Sequence, residues 1–506
     1  MKYILCHDVG TSVNKAILFS LDGEIKALSK ARYEVLYPKE GYAEQNPHDW
    51  WSAVVETTRD VVEKVGDEEG EGEIVAVSFS TQMAGVLPVD EKGEPLMNCM
   101  IWLDTRAAKE AFEIIGSRVT KYNLVNLIQF LRITGGAPGF AGKDAISKIL
   151  WVKKNEPEIY KATHKFLDVK DYLIFRCTGR FVTSRDCANI SWMMDTRKGR
   201  MGWSDTILRK FDIDRKKLPE IKESTSIAGK LRKEAAEELG LLEGIPVVVG
   251  AGDMASAAVG SGAVLENEIH AYIGTSAWLG AHMTERKKDL LHYMGCICSA
   301  NPEMYLCVAE QETAGACYEW LRNNFFSSME FHELDEMAAE SEAGSKGLIF
   351  TPWMFGERSP LDDHSVRAGF YNLSLEHGKS DVVRAVLEGV ALNLKWALMY
   401  FEKLTGKADH INFIGGGAKS DIWLQIFADA LKKEVRKVSD PQEAGAKGAA
   451  YIAMVALGYM GFEDVKKLVR VEKTFKPVKG NSEIYERVFE RFRRVYRKKV
   501  SRADGV

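Results

Sequence analysis

The sequence predicts an α/β protein of two domains, on three observations. The chain has 506 residues, which is more than one hydrophobic core usually holds. Short apolar segments typical of strands alternate with longer segments of helical periodicity. A strand, a Gly-Thr-Ser turn and a second strand stand near the N terminus, and the same pattern returns in the second half of the chain. Such a return indicates a duplicated domain.

The first copy of this pattern begins with an apolar strand at residues 3–8. The turn Val9-Gly10-Thr11-Ser12 follows, and a second strand runs over residues 15–20. Asp22-Gly23 then gives a strong hairpin signal. The second copy occupies residues 269–280 and contains Gly274-Thr275-Ser276. Two similar domains would let these two turns face each other.

The domain boundaries follow from the apolar strand at residues 245–249, which ends in Gly250-Ala251-Gly252-Asp253. We predict an N-terminal domain at 1–246, a C-terminal domain at 247–480 and an amphipathic helix at 481–506. Aromatic residues recur at helical spacing in that last segment. Two further amphipathic helices are predicted in the second half, with apolar faces at Val383, Leu387, Val390, Leu394 and Leu398, and at Trp423, Ile426, Phe427 and Leu431.

Composition excludes several classes of protein. The formal net charge of -4 gives no overall positive field for nucleic acid, and the basic run at residues 491–497 fits an amphipathic surface helix better. No apolar stretch approaches the roughly 18 residues of a membrane helix. The eight cysteines are scattered in a chain that starts without a secretory signal, which predicts reduced thiols in a cytoplasm.

The first turn carries groups suited to phosphoryl transfer, which needs phosphate-binding amides, carboxylates for magnesium and a base. Asp8 stands at a strand end and could hold magnesium, while Gly10, Thr11 and Ser12 could meet phosphate oxygens. Lys15 could add a positive charge. A polar turn that closes a hairpin is the alternative, and the second turn at Gly274, Thr275 and Ser276 favours two phosphate-binding loops.

Asp253 should emerge at the carboxyl end of a buried strand, where α/β folds place ligands. It could act as a base or cap the small-residue helix at 254–259, and the two roles are compatible. Gly415, Gly416, Gly417 and Ala418 come after the apolar strand at 410–414. These glycines could approach a flat ligand or turn a tight corner.

The ordered set of motifs resembles the FGGY carbohydrate kinases, most closely their xylulokinase branch, over nearly the whole chain. The matching motifs are Asp8-Val9-Gly10-Thr11-Ser12, Gln82-Met83-Ala84-Gly85, Ile101-Trp102-Leu103-Asp104-Thr105-Arg106, Gly250-Ala251-Gly252-Asp253, Ile273-Gly274-Thr275-Ser276, Gly356-Glu357-Arg358-Ser359-Pro360 and Gly415-Gly416-Gly417-Ala418-Lys419-Ser420-Asp421.

The resemblance implies two actin-like, ribonuclease H-like ATPase domains with a cleft between them. It implies phosphorylation of a sugar or polyol by ATP with Mg²⁺, such as D-xylulose to D-xylulose 5-phosphate or a related ketose such as ribulose. Asp253 would be the base, and Asp8 would position magnesium with Asp253. Gly274 and Thr275 would contact phosphate, and residues 415–417 would border the adenine.

The sugar pocket implied by the resemblance contains two departures. Xylulokinases usually carry a histidine where Ala84 stands and an asparagine where Met254 stands, and both touch sugar hydroxyls. Losing two polar contacts of about 1 kcal/mol each makes D-xylulose doubtful and favours another ketose or a polyol. The other candidates for this pocket are Gln82, Met83, Asp104 and Arg106, of which the last two could equally form a structural ion pair.

Two other classes of protein compete with a kinase. A non-catalytic actin-like ATPase module would explain the repeated turns but gives no reason for the motif at 102–106. A dinucleotide-dependent oxidoreductase would need G-x-G-x-x-G with a following acidic residue, which the glycine-rich segments lack. The expected partners are ATP and a small sugar or polyol, with no nucleic acid and no membrane, and a homodimer is compatible with this pattern.

Overall fold

The computed structural model of the chain describes residues 1–68 and 72–497. It divides into two compact units. The first contains residues 1–260, 297–305 and 445–468, and the second contains residues 261–296, 306–444 and 469–506. The boundary predicted between residues 246 and 247 falls inside the first unit, because the strand and helix on either side of Asp253 belong to the first sheet and its cover.

A seven-stranded mixed sheet forms the centre of the first unit. Its strands, in spatial order, are Ile227–Lys230, Pro246–Val248, Glu73–Thr81, Lys2–Val9, Val13–Ser20 and Ile25–Arg32, and Ala251–Gly252 also pairs with Glu73–Thr81. The two strands around the first Gly-Thr-Ser turn are antiparallel neighbours, and the hairpin predicted at Asp22-Gly23 follows them. The local pattern of the N terminus is therefore confirmed.

Helices cover this sheet and extend the first unit. They are Pro47–Glu68, Ala108–Ile115, Leu124–Ile133, Ala145–Asn155, Pro157–Ala162, Val169–Thr178, Arg185–Ile190, Asp205–Lys210, Lys233–Leu239, Asp253–Gly260, Ala444–Ala456 and Val465–Leu468. Trp50, Val54 and Val61 of the first helix are buried in the same core as Leu5 and Leu18 of the sheet. Amphipathic periodicity explains this packing, since one helical face turns towards the sheet.

Five short strand pairs complete the first unit: Glu44–Gln45 with Cys99–Met100, Leu87–Val89 with Lys165–Leu167, Gly116–Ser117 with Lys121–Tyr122, Val182–Ser184 with Glu220–Lys222, and Met194–Asp195 with Gly202–Trp203. They connect the helices that lie beyond the main sheet. Those helices enclose a second apolar cluster around Phe130, Ile146 and Ile149.

An eight-stranded sheet dominates the second unit. Its strands, in spatial order, are Lys288–Asp289, Met294–Cys298, Tyr305–Gln311, Ala277–Met283, Ile269–Ile273, His410–Ile414, Glu434–Val438 and Val471–Phe475. Ile349–Thr351 and Gly369–Tyr371 form a separate pair. The strands on either side of Gly274-Thr275-Ser276 are antiparallel neighbours, like those around the first turn. The predicted repeat is thus present in both units.

The helices of the second unit are Gly315–Phe325, Phe331–Glu340, Lys379–Thr405, Asp421–Leu431 and Lys479–Arg497. Both predicted apolar faces are buried, and the Ser420 side chain caps its helix by accepting the N–H of Trp423 at 3.2 Å. The C-terminal helix buries Tyr485, Phe489 and Phe492. Its predicted continuation over residues 498–506 lies outside the described part of the chain.

The cysteines differ from the expectation in one pair. Cys296 and Cys307 stand on neighbouring strands of the second sheet, with their Cα atoms 3.9 Å apart, and form a disulfide. The prediction of reduced thiols throughout is wrong for this pair, because strand pairing brings together two cysteines that are separated by a turn. The other six cysteines lie outside this disulfide and are buried. Among the described residues, no helix is long and apolar enough to cross a membrane.

Candidate active site

The carboxyl edge of the first sheet brings Asp8 and Asp253 to one place. The strand that ends after Asp8 runs parallel to Glu73–Thr81, with Asp8 opposite Ser80. Ala251 also lies opposite Ser80, on the other side of that strand. The chain then enters the helix that begins at Asp253. Because parallel strands end at the same edge, both aspartates stand where α/β sheets bind ligands.

The two carboxylates affect each other electrostatically. Burial, and then the negative charge of Asp8, raise the pKa of Asp253 to about 7. Asp253 Oδ1 accepts the N–H of Met254 at 2.8 Å, so the aspartate also caps its helix. Ser80 Oγ donates to Asp8 Oδ1 at 2.9 Å. Two carboxylates at one sheet edge form an arrangement suited to a cation or a proton acceptor.

The first Gly-Thr-Ser turn lies directly beside Asp8. The N–H of Gly10 donates to the carbonyl of Val13 at 2.9 Å, which closes the turn. Lys15 stands opposite Asp8 on the neighbouring strand, with its Nζ 3.9 Å from Asp8 Oδ2. Ser12 is exposed, whereas Thr11 Oγ1 accepts a hydrogen bond from Trp102 Nε1 at 3.0 Å. The structure therefore brings the predicted residues of the first turn together around Asp8.

The turn at residues 82–85 follows the central strand at the same edge. Gln82 is buried and donates to the side chain of Gln45 at 2.7 Å. Ala84 has a φ of 62°, in the left-handed region that residues other than glycine rarely adopt. Met83 is almost fully buried, and Met254 is partly exposed. The peptide groups on both sides of Ala84 are held by side chains from other elements, as described below.

Asp104 and Arg106 form an ion pair. Asp104 is fully buried, and its Oδ2 lies 2.7 Å from Arg106 Nη2 while also accepting the N–H of Ala43 at 2.8 Å. The same guanidinium contacts Glu44 at 2.6 Å and lies 3.6 Å from the centre of the Tyr42 ring. This geometry corresponds to the structural alternative for the pair, and their contact with sugar stays a prediction.

The second Gly-Thr-Ser turn and the glycine triplet are neighbours in the second unit. Ile269–Ile273 and His410–Ile414 are parallel, with Tyr272 opposite Ile414, so Gly274 and Gly415 follow adjacent strands at one edge. The Gly274 N–H donates to the Ser276 carbonyl at 2.9 Å. The helix Gly315–Phe325 starts against this turn, where the N–H of Ala314 donates to the Thr275 carbonyl at 2.9 Å.

The glycine triplet makes a turn that only glycine accommodates easily. Gly415 has a φ of 88°, and a Cβ placed on it would lie 2.6 Å from the carbonyl oxygen of Ile273. A short 3₁₀ segment, Gly416–Lys419, then leads to the helix that begins at Asp421. Ala418 is buried beneath it. These two loops of the second unit have backbone geometry suited to a nucleotide.

Sequence reasoning missed three buried side chains that hold the first unit's site. Asp168 accepts the N–H groups of Ala84 and Gly85 at 3.0 and 2.9 Å. Lys148 Nζ donates to the Ala84 carbonyl at 2.9 Å. Asp186 Oδ2 accepts the N–H of Gly252 at 2.7 Å, next to Asp253. The only local signal was that Asp168 follows a strand and precedes a helix, which predicts a cap and nothing more.

Comparison with known proteins agrees with this architecture. The N-terminal domain of the FGGY family of carbohydrate kinases matches residues 3–260, and the C-terminal domain matches residues 270–457. A xylulose kinase of Bacillus subtilis (strain 168) is 30% identical over 500 residues, covering 98% of this chain and 97% of that protein.

Two solved structures from Lactobacillus acidophilus are similar over nearly the whole chain. A ligand-bound xylulose kinase superimposes with a TM-score of 0.89 at 27% identity, and 98% of each chain is covered. A gluconate kinase gives a TM-score of 0.88 at 27% identity with the same coverage. Proteins named as kinases of two different compounds, xylulose and gluconate, therefore share this fold.

Two α/β units, each with a strand, a Gly-Thr-Ser turn and a second strand, together with the match to a solved sugar kinase structure, place the chain in the class of sugar kinases with the actin-like ATPase fold. The chain belongs to the FGGY family of carbohydrate kinases. It is an enzyme that phosphorylates a carbohydrate with ATP as its substrate. The predicted family and fold class are confirmed, and the alternatives of a non-catalytic ATPase module and an oxidoreductase are not supported.

Proposed function

We propose that the enzyme transfers the γ-phosphoryl group of ATP in line to a hydroxyl of a ketose or polyol, with Asp253 as the base. The placement of Asp253 beside Asp8 at the carboxyl edge of the first sheet carries this proposal. The Asp253 carboxylate accepts the hydroxyl proton as the oxygen attacks phosphorus, and the bond from phosphorus to the ADP oxygen breaks.

A magnesium ion fits the residues of the first unit. Asp8 and Asp253 are neighbouring carboxylates whose mutual repulsion a divalent cation would relieve. Within residues 1–68 and 72–497, no cluster of three or more His, Cys, Asp or Glu side chains could hold a metal. Magnesium commonly needs only one or two carboxylates, with water and substrate phosphates as its other ligands. When bound, it would neutralise charge on the phosphates.

We propose that the loops at 274–276 and 415–418 bind ATP, as the family resemblance implies. Their support is the backbone geometry of two adjacent turns at one sheet edge of the second unit. Orientation of the bound phosphates and charge stabilisation supply most of the rate gain in such transfers. A cytoplasmic location agrees with ATP as donor, and a homodimer stays a prediction for sedimentation measurements to test.

Replacing Gly415 tests the nucleotide role of the glycine triplet. Gly415→Ala introduces a Cβ against the Ile273 carbonyl at a positive φ, so we expect the turn to shift and the KM for ATP to rise about tenfold, equivalent to about 1.4 kcal/mol. The acceptor KM should stay unchanged. Gly480→Ala is the control, because nothing lies within 4 Å of its added Cβ. An unchanged KM for ATP would remove Gly415 from the nucleotide site.

The acceptor is proposed to be a ketose or polyol other than D-xylulose, with ribulose as one candidate. Ala84 and Met254 offer no hydrogen-bonding side chain where xylulokinases have histidine and asparagine. Coupled ADP release with Mg-ATP should be measured with D-xylulose, D-ribulose, gluconate, several polyols and glycerol. Comparable efficiency on D-xylulose with no better acceptor would contradict this choice, and no stimulation by any compound would contradict a ketose or polyol acceptor.

The double variant Ala84→His with Met254→Asn tests the specificity argument directly. Restoring two polar contacts should raise kcat/KM for D-xylulose roughly 30-fold. Histidine is among the residues that tolerate the left-handed backbone of position 84. Turnover of the preferred acceptor is measured alongside and should not rise. A uniform change for all acceptors would show that these positions do not select the sugar.

A further inference from the structure

Two buried charged side chains grip the peptide groups on either side of Ala84. Asp168 Oδ2 accepts the Ala84 N–H at 3.0 Å, and its Oδ1 accepts the Gly85 N–H at 2.9 Å. Lys148, fully buried, donates from Nζ to the Ala84 carbonyl at 2.9 Å. Ala84 is thus held through both of its backbone polar groups, by a carboxylate that caps one helix and by an ammonium within another.

Lys148 also contacts a second segment of the proposed sugar pocket, residues 101–104. Lys148 Nζ also donates to the carbonyl of Ile101 at 2.6 Å, directly before Trp102, whose ring nitrogen bonds Thr11 of the first turn. Lys148 therefore adds a connection between the turn at 82–85 and the segment at 101–104, next to the backbone bridge of Val86 with Met100. Hydrogen bonds to charged groups are stronger than neutral ones, so this connection is stiff.

The held backbone is one that would otherwise relax. Ala84 at a φ of 62° is in a conformation that costs an L-residue about 1–2 kcal/mol, and such conformations persist only where the surroundings impose them. Asp168 itself is fixed, because it caps the helix Val169–Thr178 and accepts the N–H of Val169 at 2.8 Å. Because Asp168 is held at the start of this helix, it restricts the movement of the backbone at Ala84 and Gly85.

We propose that Asp168 and Lys148 are positioning residues that set the affinity for the acceptor by fixing the turn at Ala84. This inference rests on the proposed function, since it assigns position 84 to the sugar pocket. It adds that recognition depends on the backbone orientation of the turn as well as on the side chain at position 84. Neither residue touches substrate in this assignment.

The test is a comparison of KM and kcat in two variants. Asp168→Asn replaces one accepting oxygen by an N–H₂ group that cannot accept, and Lys148→Met removes the donor while keeping an unbranched side chain of similar length. Initial rates are measured with Mg-ATP and D-ribulose, D-xylulose and gluconate as acceptor probes. We expect the acceptor KM to rise at least about tenfold in each variant, which corresponds to one weakened polar contact, while the KM for ATP stays unchanged.

Comparing the acceptor KM with kcat distinguishes a loss of positioning from a loss of folded protein. A partly unfolded preparation has fewer active molecules, which lowers the apparent kcat and leaves the acceptor KM as it was. Asp381→Asn serves as the control, since Asp381 is also buried and also accepts a backbone N–H, that of Gly378 at 2.9 Å, in the second unit. Its acceptor KM should equal that of the wild type.

Gly85→Ala keeps the proposal testable if the charge variants fail to fold. The added Cβ would lie 2.6 Å from Asp168 Oδ1, so it displaces the carboxylate from the turn without removing a charge. The same rise in acceptor KM is expected. An unchanged acceptor KM in any variant that folds would overturn the positioning role, whereas wild-type protein without any acceptor-stimulated turnover would contradict the proposed function itself.

Discussion

Asp253→Asn is expected to lower acceptor-dependent ADP release by about 10²- to 10⁴-fold, the usual contribution of a general base. The amide keeps the shape of the side chain, and its oxygen can still accept the Met254 N–H. It cannot accept the hydroxyl proton. Affinity for ATP without magnesium, measured by titration calorimetry, should change little if the loops of the second unit bind the nucleotide.

The stability of the Asp253→Asn enzyme separates lost chemistry from lost folding. Burial and the neighbouring Asp8 disfavour the charge on Asp253, so its neutral replacement should leave the Tm unchanged or raise it. Asp195→Asn, which alters a carboxylate paired with Arg197 elsewhere in the first unit, should keep full activity. A variant at Asp253 that retained more than about a tenth of the wild-type rate would assign the base to another group.

The fold could be predicted well where local sequence decides it. The strands around Gly10 and Gly274, the hairpin at Asp22-Gly23 and the cap at Ser420 all depend on neighbouring residues. The boundary between the two units could not be predicted from neighbouring residues. In the sequence, strand Pro246–Val248 looks like the first strand of a second domain. In the structure it pairs with Glu73–Thr81, far earlier in the chain, and so belongs to the first sheet.

The residues of the candidate site also fall into those that the sequence could predict and those that it could not. Asp8 and Asp253 could be found because each follows an apolar strand, and strand ends are legible in sequence. Lys148 and Asp168 could not, since their partner is a backbone turn at Ala84 that only the folded chain brings to them. Contacts between distant segments carry no local periodicity.

The close packing of two helices next to Asp253 predicts a large loss of stability when a glycine between them is replaced. The helix Ala444–Ala456 crosses the helix Asp253–Gly260 so closely that a Cβ on Gly448 would lie 1.7 Å from the carbonyl oxygen of Ser256 and 3.0 Å from the Gly260 nitrogen. Both neighbours are backbone atoms, which cannot swing away as a side chain would. Gly448 thus lies against the helix that carries the proposed base.

Gly448→Ala should therefore separate these helices. Overpacking of this kind costs about 3 kcal/mol, which in a unit of this size lowers the Tm by roughly 6–12 °C. Since the displaced helix begins at Asp253, kcat should also fall in the fraction that stays folded. Gly480→Ala, with nothing within 4 Å of its Cβ in the C-terminal helix, should be neutral or slightly stabilising. Calorimetry and kcat on both variants decide the matter: a Gly448→Ala enzyme as stable and active as the Gly480→Ala enzyme would mean that the two helices do not approach this closely.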